Sequence, residues 1–386
     1  MLSFGQTTAA VLLWLGASAL LYVYGGYPIV LSVVALFRKR AKATLGYFPR
    51  ISVLIAAYNE EGGIQEKIER TLALDYPADR IDVVVLSDSS TDRTDAIVTS
   101  FADPRVRLLR APHRRGKTNA QNLGAAAVQG EILVFSDATT VYHPMALQYL
   151  AANYADPKVG AVSGRYQYFD PEGKSPTGLG MIAFWNYENF IKMLQSRIAT
   201  ITGCCGCIYS VRKSTYTPLQ PDVISDLVQP LWAIQKGYRV VFEDRALAYE
   251  ETTKSSAEEF SMRVRVVTRG IRGILSVPEL LNPFRHAWVI FQLVSHKVLR
   301  WLVPLFLLMI GVSSAVLWDQ PGYRLLLVLQ LLFYGFVGLT LLVPLHRIWK
   351  PFGIPLYFCT VNLAALCSIL EVLRGRKYVV WETVRS

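Results

Sequence analysis

No lysine or arginine precedes the first long apolar run of this chain, Val11 to Ser32. A secretory signal peptide carries its charge ahead of a shorter apolar run. The run therefore predicts an uncleaved membrane anchor. Cysteine is sparse and odd in number, five residues in 386, which argues against a disulfide framework. Acid is scarce too: 29 Asp and Glu face 40 Lys and Arg, a net charge of +11. Basic residues beside membrane segments account for such an excess by meeting anionic headgroups. No recognised nucleic-acid motif accompanies the charge, so nucleic acid is not an expected partner. The chain shows neither an internal repeat nor a low-complexity linker.

A glycine is also missing where one would matter. Residues 114–122, RRGKTNAQN, contain Gly116-Lys117-Thr118, the tail of a phosphate-binding P-loop, but the required first glycine is Ala111. Pro112 follows it and has no amide to donate. The Walker reading fails, and the basic loop of Arg114, Arg115 and Lys117 needs another role.

Apolar runs are what the chain has in abundance. Besides the first, Trp301–Trp318, Arg324–Leu345 and Gly353–Leu370 are candidate spans. Arg38, Lys39, Arg40 and Lys42 follow the first run, which places the next segment in the cytosol by the positive-inside rule. Basic residues flank the last run on both sides, so it either spans fully or re-enters. Residues 283–301 mix aromatics with Arg, His and Lys, a pattern that predicts an amphipathic interfacial helix. The expected organisation is an anchor (1–43), a cytosolic α/β domain (44–277), an interfacial helix (278–300), and spanning helices with a basic tail (301–386).

Between the membrane segments, strand and helix alternate. Strands are predicted over 51–59, 81–90, 106–110 and 131–140, with helices over Gly63–Leu74, Thr91–Ser100 and Lys117–Val128. This pattern predicts a mostly parallel, doubly wound sheet, whose ligands bind at the carboxyl ends of the strands. Asn59, Glu60, Asp88 and Asp137 stand at or just past those ends. An acid there can hold a ribose, a base or a divalent cation. A single Asp after a strand can equally cap a helix or form a turn. The set, with a basic loop among them, points to a nucleoside diphosphate ligand.

Seven stretches in order, ISVLIAAYNEE, VVVLSDSSTDRT, RRGKTNAQNLG, EILVFSDATT, TGCCGCIYSVRKS, ISDLVQPLWAIQKGYRVVFEDRA and LRGRKYVVWE, resemble the blocks of membrane-embedded family 2 glycosyltransferases. These are relatives of the cellulose, hyaluronan and poly-N-acetylglucosamine synthases. The resemblance spans about residues 50–275, with apolar helices on both sides. It implies a GT-A domain that takes a nucleotide sugar, usually uridine diphosphate-linked, with Mg2+ or Mn2+. By position, Ala57, Tyr58, Glu60 and Asp88 would serve the nucleoside, and Lys117 would border the donor. Asp137 would be the first acid of the Asp-x-Asp metal motif, with Thr139 as the second ligand. Asp226 would be the general base on the acceptor hydroxyl; outside the family context it reads as a helix cap. Gly203, Cys204 and Cys205 would line the acceptor channel, the thiols serving as small apolar residues. Lipid-linked or glycan acceptors, membrane lipids and partner proteins of a polysaccharide pathway complete the implied partners, at the inner membrane.

Two departures shape the expectation. Thr139 replaces the second acid of the metal motif. The Gln-x-x-Arg-Trp block of the processive enzymes corresponds to SMRVRVVTRG (261–270), which has Arg263, Arg265 and Arg269 but neither Gln nor Trp. Arg265 and Arg269 could still pair with a diphosphate. Without the stacking Trp, a single transfer is favoured over processive synthesis and secretion. A nucleotide-sensing transporter or receptor is the competitor from another class. It is disfavoured because the C-terminal apolar runs carry few charges at their centres.

Overall fold

The computed structural model describes residues 3–38, 43–170, 175–253 and 255–380. Lys39, Arg40 and Lys42 of the expected topology signal, and Trp381 and Glu382 of the closing block, lie outside them. The four predicted strands are present as β1 (Ile51–Ala57), β2 (Ile81–Ser87), β3 (Val106–Arg110) and β4 (Ile132–Asp137). β5 is Val141–Tyr142, β6 Val159–Phe169, β7 Ile208–Arg212 and β8 Arg239–Glu251. Together they form one sheet in the order β3-β2-β1-β4-β7-β6-β8-β5.

β3, β2, β1 and β4 run parallel. All seven residues of β1 are buried, as befits a strand covered on both faces. Ile51, Val53 and Ile55 pack into one core, and Leu54 joins Leu133 and Phe135 in a second on the opposite face. Each aliphatic side chain so buried contributes about 1.5–3 kcal/mol. Beyond β4 the sheet is mixed. β7 pairs antiparallel with β4 and β6, β6 pairs parallel with β8, and β5 pairs antiparallel with β8.

Register explains why the acids meet. Ala57 pairs with Ser87, and Ala56 with Asp137, so the three central strands finish level. β1 lies between β2 and β4, where the chain's winding reverses and a crevice opens. The antiparallel pairing of Ser136 with Ile208 brings the 203–207 segment to the same end of the sheet.

The N-terminal helix runs Phe4–Leu36, with a π turn at Tyr22–Gly26. Among the described residues, Phe4–Leu36, Pro321–Leu342 and Lys350–Leu373 are long and apolar enough to cross a membrane. A fourth passes the test only if Pro283–Trp301 and Val303–Val316, bent by 56°, count together. The 283–301 segment packs on the α/β domain, where Val289 and Leu293 join the second core. Gln292 also donates to the Thr200 carbonyl at 3.1 Å. Lys350–Leu373 leans on the Ser256–Leu275 helix: the Ser368 hydroxyl donates to the Val264 carbonyl (3.1 Å), and Arg263 donates to the Tyr357 hydroxyl (2.8 Å).

Candidate active site

A cleft of about 270 Å³ opens at the carboxyl end of β1 and β4. Lys117, Asp137, Thr139, Asp226, Glu250, Arg265, Arg269 and Glu60 all line it. Residues from five separate predicted blocks thus converge on one hollow.

The basic loop is held by Asp88. This carboxylate is fully buried and accepts the backbone amides of Arg115 (2.9 Å) and Gly116 (2.8 Å). Asp88 shapes the loop and does not itself line the cleft. Gly116 has φ 86° and ψ 162°, a region open almost only to glycine. It starts the Lys117–Ala127 helix, whose first residue turns inward. The Lys117 ammonium is paired with Asp137 and lies 3.3 Å from the Gly206 carbonyl oxygen. Burial opposes its charge, but Asp137 overrides this and holds Lys117 above the usual lysine range. A second lysine, Lys67, braces the turn after β4, donating to the Ser136 hydroxyl (2.8 Å) and the Thr140 carbonyl (2.5 Å). Burial, opposed by Asp137, brings its pKa down to about 8.

Gly116 also supports a prediction. A Cβ there would overlap the Val379 carbonyl oxygen of the C-terminal segment as well as strain the backbone. Such strain costs about 1–3 kcal/mol. Gly116→Ala is expected to weaken nucleotide binding about tenfold and to make residues 376–380 more sensitive to protease. Unchanged nucleotide Kd and an unchanged digestion pattern would count against this reading.

Asp226 sits in the first turn of Ser225–Gln235, where an acid suits the helix dipole. Ile224 is the N-cap, and no side chain caps the helix. The capping reading therefore does not account for Asp226. Gly206 packs so close that an added Cβ would lie 3.0 Å from the Asp226 Oδ2. Burial raises the Asp226 pKa above the ordinary aspartate value, against the pull of Lys117 and Lys192. A carboxylate of raised basicity facing a cation-lined cleft can accept a proton from a hydroxyl.

The remaining sequence-predicted residues divide between cleft and frame. Ala57 is buried in β1, while its neighbour Ala56 lines the cleft. The Arg114 guanidinium lies 3.8 Å from the Tyr58 ring centre. Asn59 and Ser89, at the ends of β1 and β2, are the non-glycine residues with positive φ among those described. Such conformations gather where a site is shaped. Gly203, Cys204 and Cys205 are buried behind the cleft, and of that block Gly206 reaches it. Cys204 donates its amide to the Asp226 carbonyl (2.8 Å), and the Cys205 thiol accepts from Lys192 (3.1 Å). Arg265 lines the cleft; Arg269 does so while bonding to the Thr118 hydroxyl (2.8 Å) and the Val223 carbonyl (2.6 Å). Burial, then Arg265, lowers the Arg269 pKa to about 10. At Gly270, beside Arg269, an added side chain would begin 3.2 Å from the Trp301 ring.

Sequence reasoning missed Lys67, Thr118 and Glu250. Only the pairing of β5 with β8 could have pointed to Glu250, and both strands lay beyond the periodicity signal. Thr139, expected as a metal ligand, donates its hydroxyl proton to Glu250 at 2.9 Å.

The profile of glycosyl transferase family 2 matches residues 52–217. A probable glycosyltransferase, YdaM, of Bacillus subtilis is 29% identical over 243 residues, 58% of this chain and 55% of that protein. A poly-beta-1,6-N-acetyl-D-glucosamine synthase of Staphylococcus aureus is 26% identical over 258 residues, 62% of this chain and 61% of its own length. The chain thus spans little more than half the length of these curated relatives. Mannosyltransferase PcManGT from Pyrobaculum calidifontis, solved with GDP-Man and Mn2+, shares the fold with a TM-score of 0.69 and 21% identity. That likeness covers 95% of this chain and all of that one. Residues 52–217 thus match glycosyl transferase family 2, and the sheet has the GT-A fold.

Proposed function

We propose that the protein is an inverting, membrane-bound glycosyltransferase. It would move a sugar from a uridine-linked nucleotide diphosphate sugar to a lipid-linked or glycan acceptor at the cytosolic face of the inner membrane. The observation that carries this reading is the shared cleft. Asp226, a base of raised pKa, faces the Asp137–Lys117 pair across about 270 Å³.

In this reading Glu60 and Tyr58 serve the nucleoside end. Lys117 and Arg265 offset the charge of the diphosphate. Asp137 offers a hard oxygen donor of the kind Mg2+ and Mn2+ favour. A divalent cation held there would neutralise charge on the leaving diphosphate. Asp226 takes the proton from the acceptor hydroxyl as its oxygen attacks the anomeric carbon opposite the diphosphate. One displacement of this kind inverts the centre, and no second carboxylate is needed as nucleophile. The relation of this cleft to the Lys350–Leu373 helix supports a membrane-borne acceptor, since Arg265 and that helix share the Ser256–Leu275 segment.

The test is donor turnover by the full chain in detergent or nanodiscs. Uridine and guanosine diphosphate sugars would be offered with Mg2+ or Mn2+, with and without lipid extract. Release of nucleoside diphosphate from one donor, stimulated by lipid, is the expected result. Binding without release from any donor would favour a nucleotide sensor instead. The relative that makes a polymer favours a processive variant, and product length separates the two.

A further inference from the structure

We propose that Glu250 supplies the second carboxylate of the cation site, in place of the acid that the motif lacks at Thr139. The inference rests on the metal-assisted donor binding proposed above. Three observations carry it. The first is backbone register. Val141 pairs with Tyr249 and Tyr142 with Ala248 in antiparallel sense. Carried one residue further, that register sets Glu250 across from Thr140, at the loop that follows Asp137. The second is contact: the Thr139 hydroxyl donates to Glu250 Oε1 at 2.9 Å. The third is placement, since Asp137, Thr139 and Glu250 all line the cleft that Asp226 faces.

The surroundings of Glu250 are those of a ligating carboxylate. The Tyr166 hydroxyl donates to Oε2 while Thr139 donates to Oε1. Donors on both oxygens fix the plane of the group. Metal-binding carboxylates are oriented by such outer partners. Tyr166 is itself clamped, its ring packed edge-on against Trp185 at 4.9 Å. Lys67 holds the opposite side of the loop through Ser136 and Thr140. The donor set of two carboxylates and nearby hydroxyl oxygen is hard, which suits Mg2+ or Mn2+. Thr139 then acts as a positioning residue. An acid at 139 beside Glu250 would instead set two like charges within hydrogen-bond reach.

A purely structural Glu250 would be replaced well by Gln, whose carbonyl accepts from one hydroxyl while its amide donates to the other. A cation ligand would not. The experiment is Mn2+ binding by electron paramagnetic resonance to the full chain in detergent, with uridine diphosphate as the nucleotide. Glu250→Gln and Asp137→Asn are each expected to raise the Mn2+ Kd at least tenfold, by analogy with outer-partner losses of 10–100-fold. Adding Thr139→Asp to Glu250→Gln should restore most of the affinity. A Glu250→Gln Kd within twofold of wild type, with Asp137→Asn impaired, overturns the proposal and leaves the metal reading intact. Absence of Mn2+ binding in the wild type would overturn both. Should Glu250→Gln fail to fold, Thr139→Val answers the question by removing the hydroxyl that holds Glu250. A several-fold rise in Kd is then expected, and no rise overturns the assignment.

Discussion

Asp226→Asn is expected to slow transfer by about 10²–10⁴-fold, the usual contribution of a positioned base, while nucleotide affinity stays within twofold. The residue is expected to act on the acceptor proton and not on the donor, so its loss should appear in turnover. The same change should not lower the melting temperature. Burial raises the Asp226 pKa, with Lys117 and Lys192 only partly opposing. A carboxyl raised in the folded state contributes most below its unfolded pKa and loses that contribution as pH rises through the folded value. At neutral pH the ionised group is therefore a cost, and the neutral amide removes it. Function and stability should move in opposite directions at this position. The acid limb of the turnover profile should lie above the range of an ordinary aspartate. Nucleoside diphosphate release across pH, with a thermal melt of both proteins, checks each point. Full turnover in the variant would remove Asp226 from the chemistry.

Glu188→Gln should produce the largest loss of stability, about 3–5 kcal/mol, as when one member of a buried ion cluster is removed. Glu188 lies on the Gly178–Ile198 helix and is 3% exposed. Its Oε1 lies 3.0 Å from His296 Nε2 and is paired with Arg300, and its Oε2 lies 3.3 Å from Lys297. Burial alone would raise its pKa, but Lys297, Arg300 and His296 reverse that and hold it well below the usual glutamate range. A depressed carboxyl stabilises above its unfolded pKa, and the contribution disappears as pH falls through the folded value. The amide variant would leave the partly buried Lys297 and Arg300 without a counter-charge, and the 283–301 segment would lose its ionic link to the domain. Thermal unfolding in detergent measures the effect. A shift of less than about 1 kcal/mol would show that the cluster is dispensable, as surface ion pairs are.

Most of the first half of the sheet could be read directly from the sequence. Short β-branched runs such as Ile51–Ala57 are buried on both faces, and each ends in turn formers, so periodicity and punctuation agree. Helix ends shifted inward by a few residues, for example from Thr91–Ser100 to Thr94–Thr99. Asp137, Lys117 and Asp226 were visible because each stands in a motif and the cleft is where motifs meet. The second half was less legible. β8 alternates buried and exposed residues unevenly, and β6 shifts register against it between Gly164 and Arg165. Its partners are fixed by tertiary packing, which no local window contains. Asp88 illustrates a different limit: the sequence located it, but only the structure showed both its oxygens on loop amides. The three neighbouring cysteines are buried and form no disulfide, and the Cys205 thiol accepts from Lys192.

The contact between Gly116 and Val379 joins the start of the donor loop to the far end of the described chain. The segments Pro321–Leu342 and Lys350–Leu373 both lie between them in sequence. During synthesis the sheet can close early, since domains form from the N-terminus as the chain emerges. The donor loop cannot reach its final packing until the last apolar helix has been made and the residues after it have folded back. If the proposed nucleotide site is right, binding at full strength would be a late event in the biogenesis of this molecule, reached only after the helices that follow the domain are in place.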